Sequence, residues 1–489
     1  MMTLIKQSRF LLCLFLFGVL LSMKAIIAQS DSLSLRQIIA MAQGESFDAF
    51  DAQNSLSQAE MDYKAFQANY RPQLQLNGSI PNFINTFSQI TQPDGSISFE
   101  RISYNNSSLS AQLTQNIAAT GGTFFMQSDL QRYDDFAKDF RTYNGIPVRI
   151  GYVQELSAFN RFKWEKKIAP VQLSEAQKQM LFDREAISVD ALSRFFVLLI
   201  AQIDLQIATA NQQSNQSLYD IAKERYELGK ISENDLLQLR LELVNAGRDA
   251  SDAQQAVRDA RLDLQTFLGK DGGAEWALRV PAEIATMDVK VAEAIRLARE
   301  NRPELDGFTR RRLQAQRDVA QTKRNFGFQA DLQASLGFAR GSEVLSEIYS
   351  NPQQEQNVSL QLAIPILDWG RRKANVRQAK LIQENVSRSI AQENVAFDND
   401  IRSLVSAFQQ LQQSIPLSKE GREIALRRFA ISKDRYLMGD ISTTDLTIAI
   451  AAKDQAQRAY VFALRNYWQT YYQLRQLTLY DFINNQNIR

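Results

Sequence analysis

The chain has 489 residues, with 56 Lys and Arg against 54 Asp and Glu, a single cysteine and no histidine. Without histidine there is no histidine base, no Ser–His–Asp triad and no histidine-ligated metal, and one cysteine cannot build a disulfide framework. A formal net charge of +2 supplies no general drive toward nucleic acid or anionic lipid, and a 45% apolar, 22% charged composition is globular rather than disordered.

At the N-terminus, Lys6 and Arg9 precede the apolar run Leu11–Leu21 and the small-residue exit Ala25-Ile26-Ile27-Ala28. This pattern reads as an export signal over residues 1–28, cleaved before Gln29. An uncleaved anchor is the weaker reading, because the run falls short of the about 20 apolar residues that span a bilayer. Cys13 lies within the run, so the mature chain has no thiol; loss of Lys6, Arg9 and Lys24 turns its balance slightly acidic. Beyond Ala28 the longest unbroken apolar run is Phe195–Ala201. The mature protein is therefore either soluble outside the cytoplasm or a membrane β-barrel, the two classes without hydrophobic helical spans.

Leu35–Ala42 is apolar at helical spacing, and a helix rich in Ala, Gln and Glu continues over Ser46–Asn69 until Arg71-Pro72 ends it. Strict alternation follows: Leu74, Leu76, Gly78 and Ile80 on one face, Gln73, Gln75, Asn77 and Ser79 on the other. Similar alternation recurs around Leu109–Leu113, Phe124–Leu130 and Val148–Tyr152, and later around Leu332–Phe338 and Val358–Ile364. Turn-rich segments such as Gln89–Ser98 and Arg340–Gln356 read as long polar loops. Such loops suit the outer side of a membrane barrel, and alternation alone fits an ordinary sheet with one wet face equally well.

Arg161–Arg225 and Arg371–Arg435 are each predicted to be one helix of about 65 residues, roughly 95 Å long, with Pro170 near the start of the first and Pro416 a kink in the second. Each meets a glycine turn, at Gly229 or Gly439, and returns as another helix to about Phe267 or Tyr480. The apolar stripe of the first, Ile187, Ala191, Leu192, Phe195, Phe196 and Leu199, is narrow. Narrow stripes belong to helices packed side by side with a large wetted face, as in the wall of a tube.

The chain contains itself twice. Arg225–Leu236 and Arg435–Leu446 are identical at seven of twelve positions at an offset of 210, which also pairs Phe159–Lys163 with Trp369–Lys373. Upstream the offset is 256, pairing Ile39 and Ala42 with Ile295 and Ala298, and Gln73, Leu76 and Ser79 with Gln329, Leu332 and Ser335. The difference of 46 residues is extra sequence between about Ile80 and Leu156, with alternation enough for two more strands. The predicted organisation is the signal at 1–28, a first repeat at 29–286 (strand region about 72–158, tip near 229) and a second at 287–489 (strand region about 328–367, tip near 439).

Two repeats of helix, strands and long helical hairpin behind an export signal resemble the TolC family of outer-membrane efflux ducts. The marks are Tyr70-Arg71-Pro72-Gln73-Leu74 at the first strand, Ala363-Ile364-Pro365-Ile366-Leu367-Asp368-Trp369-Gly370-Arg371 at a strand-to-helix exit, and the two Arg-Tyr-x-x-Gly tips. The resemblance implies a mixed α+β membrane protein. It would be a homotrimer sharing one transmembrane β-barrel, continued by a periplasmic α-helical barrel that docks to a periplasmic adaptor and an inner-membrane pump. Closure of a barrel independently needs more than one chain, since about eight strands are the minimum and open edges in lipid leave backbone groups unsatisfied. The 46 extra residues depart from the family's two strands per half and put the strand number in question.

The resemblance also implies the working residues. Asp445 matches a ring carboxylate of the pore gate; the second ring position is Ile448 here, so that carboxylate is missing, and Asp440 next to the tip glycine would partly compensate. Rings of acids are how cation-selective constrictions are built; a carboxylate in the first turn of a helix also serves the helix dipole, and the two roles are compatible. Asp235 and Tyr436 match two partners of a latch between neighbouring hairpins, with Ile441 where the family has a basic partner. Simple packing of Tyr436 and its repeat mate Tyr226 under the turns is the alternative. Leu228-Gly229-Lys230 and Met438-Gly439-Asp440 are the tips expected to touch the adaptor, each glycine ending a helix in the left-handed conformation.

No phosphate-binding glycine loop, metal cluster or nucleophile elbow occurs, so neither catalysis nor a cofactor is expected. Acids such as Asp134, Asp135 and Glu165 form no recognisable glycosidase pair. The competing reading is a periplasmic or surface coiled-coil scaffold that conducts nothing. It would keep the hairpins without needing a lipid-facing sheet.

Overall fold

The computed structural model describes residues 32–271, 275–281 and 286–488; the expected export signal lies outside them. They form two compact units. One takes the chain up to Asn54, Met180–Arg302 and the chain from Asp398 on; the other takes Ser55–Gln179 and Pro303–Phe397. Each unit draws on both sequence repeats.

The element order is α1 (Leu35–Glu45), α2 (Phe47–Ala68), β1 (Gln73–Ser79), β2 (Phe83–Thr91), β3 (Ile97–Asn116), β4 (Thr123–Asp135), β5 (Phe140–Glu155), α3 (Arg161–Glu227) and α4 (Glu233–Phe267). The second half follows as α5 (Val291–Asn301), α6 (Pro303–Asn325), β6 (Gln329–Ser342), α7 (Glu347–Ser350), β7 (Gln353–Ala363), α8 (Arg371–Met438), α9 (Thr443–Thr478), β8 (Tyr480–Asp481) and β9 (Gln486–Asn487). Both offsets reappear as structure: β1 and β6 begin 256 residues apart, α3 and α8 begin 210 apart, and so do α4 and α9.

The second unit holds one antiparallel sheet in the order β1-β3-β4-β5-β6-β7, with β2 continuing β1 alongside the long β3. The extra first-half sequence therefore forms strands inside the sheet, β3 and β4 standing between β1 and β5. Directly opposed residues share a face. One row is apolar over five strand positions, Leu74–Leu113–Met126–Ile150–Leu336, and ends at Gln356 on β7. The adjacent row on the other face is polar, Gln75–Gln112–Gln127–Arg149–Gly337–Glu355. Many of the apolar side chains are uncovered, Leu74 at 74% and Val358 at 77% exposure, with Leu76, Leu360 and Leu362 also exposed. An apolar face of this extent belongs against lipid or protein.

Gln89–Ser98, expected as a long polar loop, is half strand, with only residues 92–96 left as a turn. β2 and β3 are joined by a short turn in which Gly95 takes φ +83° and the Asp94 carboxylate accepts from the Ser96 amide and hydroxyl. Glycine at positive φ lets the chain reverse tightly, so the ladder runs nearly to the turn. The Arg340–Gln356 segment is likewise shortened by β6, α7 and the start of β7.

In the helical unit, Ser34 and Gln37 close a capping box on α1, and Leu35, Ile38, Ile39 and Ala42 bury its apolar stripe. The expected stripe of α3 is buried from Ile187 to Leu199. Phe408 of α8 packs on Tyr467 of α9 with ring centroids 5.1 Å apart. Pro170 lies inside α3, on its stretch in the sheet unit, and Pro416 inside α8; both helices continue past their proline. Among the described residues α3 does carry a stretch long and apolar enough to cross a membrane, although no unbroken run does. Half of that stretch is buried, with Phe195, Phe196 and Leu198 at the core, so its apolarity serves packing.

A buried ionic cluster ties three segments of this unit together. Arg475 donates to both Glu185 oxygens at 2.8 and 3.1 Å and to Asp481 at 3.0 Å, while the Tyr471 hydroxyl donates to Asp481 at 2.7 Å. Glu185 is fully buried. Burial pushes the Tyr471 phenol far up, and its bond to Asp481 adds to the shift.

Candidate functional site

The two hairpin tips are built alike. In the first, α3 ends at Glu227, Gly229 takes φ +69°, and the Gly229 and Lys230 amides donate to the carbonyls of Tyr226 and Arg225, both at 2.9 Å. In the second, Gly439 takes φ +88°, and the Gly439 and Asp440 amides donate to Tyr436 and Arg435 at 3.0 and 2.9 Å. These bonds satisfy carbonyls at the helix end, and only glycine adopts the required conformation without strain. Open space surrounds both glycines, so their requirement comes from the backbone alone.

Each returning helix opens with a capping box. Ser232 Oγ accepts from the Asp235 amide at 3.2 Å, and Asp235 Oδ2 accepts from the Ser232 amide and hydroxyl at 3.3 and 2.7 Å. Ser442 and Asp445 repeat this with 3.1, 3.1 and 2.7 Å. The Asp445 carboxylate stays exposed, and the Ser442 hydroxyl and amide, with Arg435 nearby, hold its pKa below the ordinary aspartate value. Thus the gate candidate is also the capping-box partner of the helix's N-cap Ser442, and the bonds it accepts there favour its charged form. Asp440 is exposed at the tip, and Ile448 is 53% exposed on the same returning helix as Asp445.

The latch candidates are not bonded to each other within the chain: Asp235 is engaged by Ser232, and Tyr436 is buried. Tyr436 joins Leu218, Ala222, Leu239 and Leu446 in a small core that packs the two tips together, with Ile441 against it. The Arg225 guanidinium lies 5.8 Å from the Tyr436 ring centre and donates to the backbone carbonyls of Tyr436 and Leu437 at 3.4 and 2.6 Å. Arg225 is thus a tip-joining residue, a role that sequence reasoning missed. The signal for it was its identity with Arg435 at the 210 offset. Its repeat-mate environment differs: Tyr226 is 40% exposed where Tyr436 is covered. Leu228 and Met438 leave large apolar side chains uncovered at the two ends.

Farther along the hairpins, α3 and α9 are tied by polar bonds. Asn211 donates to Asp454 at 2.6 Å and accepts from Lys453 at 3.0 Å, and Arg458 donates to Asp204 at 2.7 Å.

This architecture has relatives. Alkaline protease secretion protein AprF of Pseudomonas aeruginosa is 25% identical over 264 residues, and the match spans about half of each chain. In structure the chain resembles the CmeC outer membrane channel of Campylobacter jejuni, with a TM-score of 0.66 at 15% identity, covering 91% of this chain and 85% of that one. It also resembles the outer membrane protein VceC of Vibrio cholerae, with a TM-score of 0.63 at 14% identity and coverage of 93% and 97%. The outer membrane efflux protein profile matches residues 122–270 and 294–478, well over half of the sequence. With its duplicated strands and hairpins, the chain belongs to the outer membrane efflux protein family.

Proposed function

We propose that the protein is a subunit of a homotrimeric outer-membrane duct. It would be a passive conduit that breaks no covalent bond and docks through its periplasmic tips to an adaptor and an inner-membrane pump. The observation that carries this reading is the two-faced sheet, with its uncovered apolar row and its polar row, in the same chain as paired hairpins. A sheet with these faces suits a wall between lipid and water, and one chain's strands are too few to enclose a lumen. The exposed Leu228 and Met438 at the tips suit an apolar contact with an adaptor.

The test is purification from outer membrane followed by planar-bilayer recording. A detergent-dependent trimer that conducts supports the duct. A monomer soluble without detergent overturns it in favour of a non-conducting scaffold. Placing Trp at both Gly229 and Gly439 should abolish export in cells while trimers still reach the membrane; surviving export would remove the tips as the docking surface.

A further inference from the structure

We propose that the two added strands, β3 and β4, are part of the barrel wall, so that three copies close an eighteen-position barrel in which β7 of one copy pairs with β1 of the next. The proposal rests on the trimeric duct reading and specifies its membrane part. The sheet has six positions in the order β1-β3-β4-β5-β6-β7, so three copies make eighteen, a width at which barrels enclose an aqueous channel. The apolar row runs through Leu113 of β3 and Met126 of β4 without interruption, and the polar row runs through Gln112 and Gln127. A hairpin lying outside the wall would not share both rows.

The edges of the sheet fit each other. Successive neighbours are all antiparallel, so across six positions β1 and β7 run in opposite directions and can close antiparallel. Their apolar side chains, Leu74 and Leu76 on one edge and Val358, Leu360 and Leu362 on the other, are exposed on the same face.

The internal repeat supplies the register. β5 is the 210-offset mate of β7, and β6 is the 256-offset mate of β1, so the β5–β6 seam inside the chain is a template for the seam between copies. Within the chain Ile150, Gly151, Tyr152 and Val153 face Leu336, Ser335, Ala334 and Gln333. Shifted by the two offsets, this places Leu360 opposite Ile80, Gln361 opposite Ser79, Leu362 opposite Gly78 and Ala363 opposite Asn77 of the next copy. The transferred register keeps Leu360 and Leu362 with Ile80 and Gly78 on the apolar face. A slip by one residue would turn every side chain to the wrong side, so this agreement is a check that the offsets did not guarantee.

The mature chain has no native cysteine if residues 1–28 are removed, which makes engineered pairs unambiguous. Oxidation of the double variant Ser79→Cys, Gln361→Cys should convert the monomer band on denaturing gels into a covalent trimer. Ser79→Cys with Ser359→Cys, two residues out of register, should stay monomeric. A single fluorophore at Met126→Cys should be quenched by brominated lipid, whereas Gln127→Cys should react with an aqueous, membrane-impermeant maleimide. A trimer in which Met126→Cys is not quenched overturns the eighteen-position wall and leaves the duct standing. Linkage within one chain, or linkage of the shifted pair instead, overturns the proposed seam. A detergent-independent monomer removes the wall and the duct together.

Discussion

Arg225, near the end of one long helix, donates through Nη2 to the backbone carbonyl of Leu437 at 2.6 Å, beside the end of the other. A cation at the C-terminal end of a helix meets carbonyls that lack intrahelical partners and the negative end of the dipole. The bond joins the two tips of one chain directly, above the small core that contains Tyr436.

Arg225→Ala should therefore loosen the contact between the two tips of one chain. A partly exposed hydrogen bond of this kind is worth about 1 kcal/mol, or roughly a fivefold change in how often the two tips stay joined. Single-channel recordings of the purified protein should show a higher open probability, with Arg225→Lys intermediate. Unchanged gating would confine Arg225 to holding the subunit together.

Asp445 should make cation block acid-resistant. Its folded pKa lies below the ordinary 3.8 because Ser442 and Arg435 favour the charged form. Its stabilising charge is thus fully present above that ordinary value and is lost only as pH falls through the lower folded value. Block by multivalent cations should therefore fade only below the pH at which an ordinary aspartate titrates, and Ser442→Ala should move the midpoint upward. Asp445→Asn should weaken block at every pH; undiminished block would remove Asp445 from the constriction.

The Glu185–Arg475–Asp481 cluster should dominate the stability of the helical unit. Arg475→Ala strands a fully buried carboxylate, and breaking a buried pair from one side costs about 3–5 kcal/mol. Thermal unfolding followed by circular dichroism in detergent should show a marked fall for Arg475→Ala. The exposed pair Arg248 and Asp249 should tolerate Arg248→Ala with little change.

Gly337 should be indispensable to the sheet. Arg149 of β5 reaches Glu355 of β7 at 2.7 Å across β6, and Gly337 lies opposite both residues. A methyl group there would come within 2.7 Å of the Val148 carbonyl and 2.9 Å of the Arg149 backbone. Gly337→Val should lower the yield of membrane-inserted protein sharply, as read by heat-modifiable mobility on gels, whereas Gly341→Ala should be tolerated because its nearest neighbour is 3.8 Å away.

Much of the molecule was legible because its signals are local or periodic. Alternation marked the strands, helical spacing marked the stripe of α3, and the repeated Arg-Tyr-x-x-Gly located both turns where Gly229 and Gly439 now take positive φ. The places of Asp235 and Asp445 beside the caps Ser232 and Ser442 were readable in part, since a carboxylate in a first helical turn has a local reason to be there. The length of the β2–β3 connection is not legible, because Ser, Asp and Gly near its turn read as a longer loop and only cross-strand pairing shows how far the ladder extends.

The sequence by itself determined the duplication, the long hairpins and the two-faced strands, because each is written in spacing along the chain. Only the tertiary structure decided that β3 and β4 insert between β1 and β5, that Tyr436 is covered while its mate Tyr226 is open, and that Arg225 joins the tips. Those outcomes depend on which distant segments meet, and residues such as Arg225 and Leu437, far apart in the chain, carry no local mark of their partner.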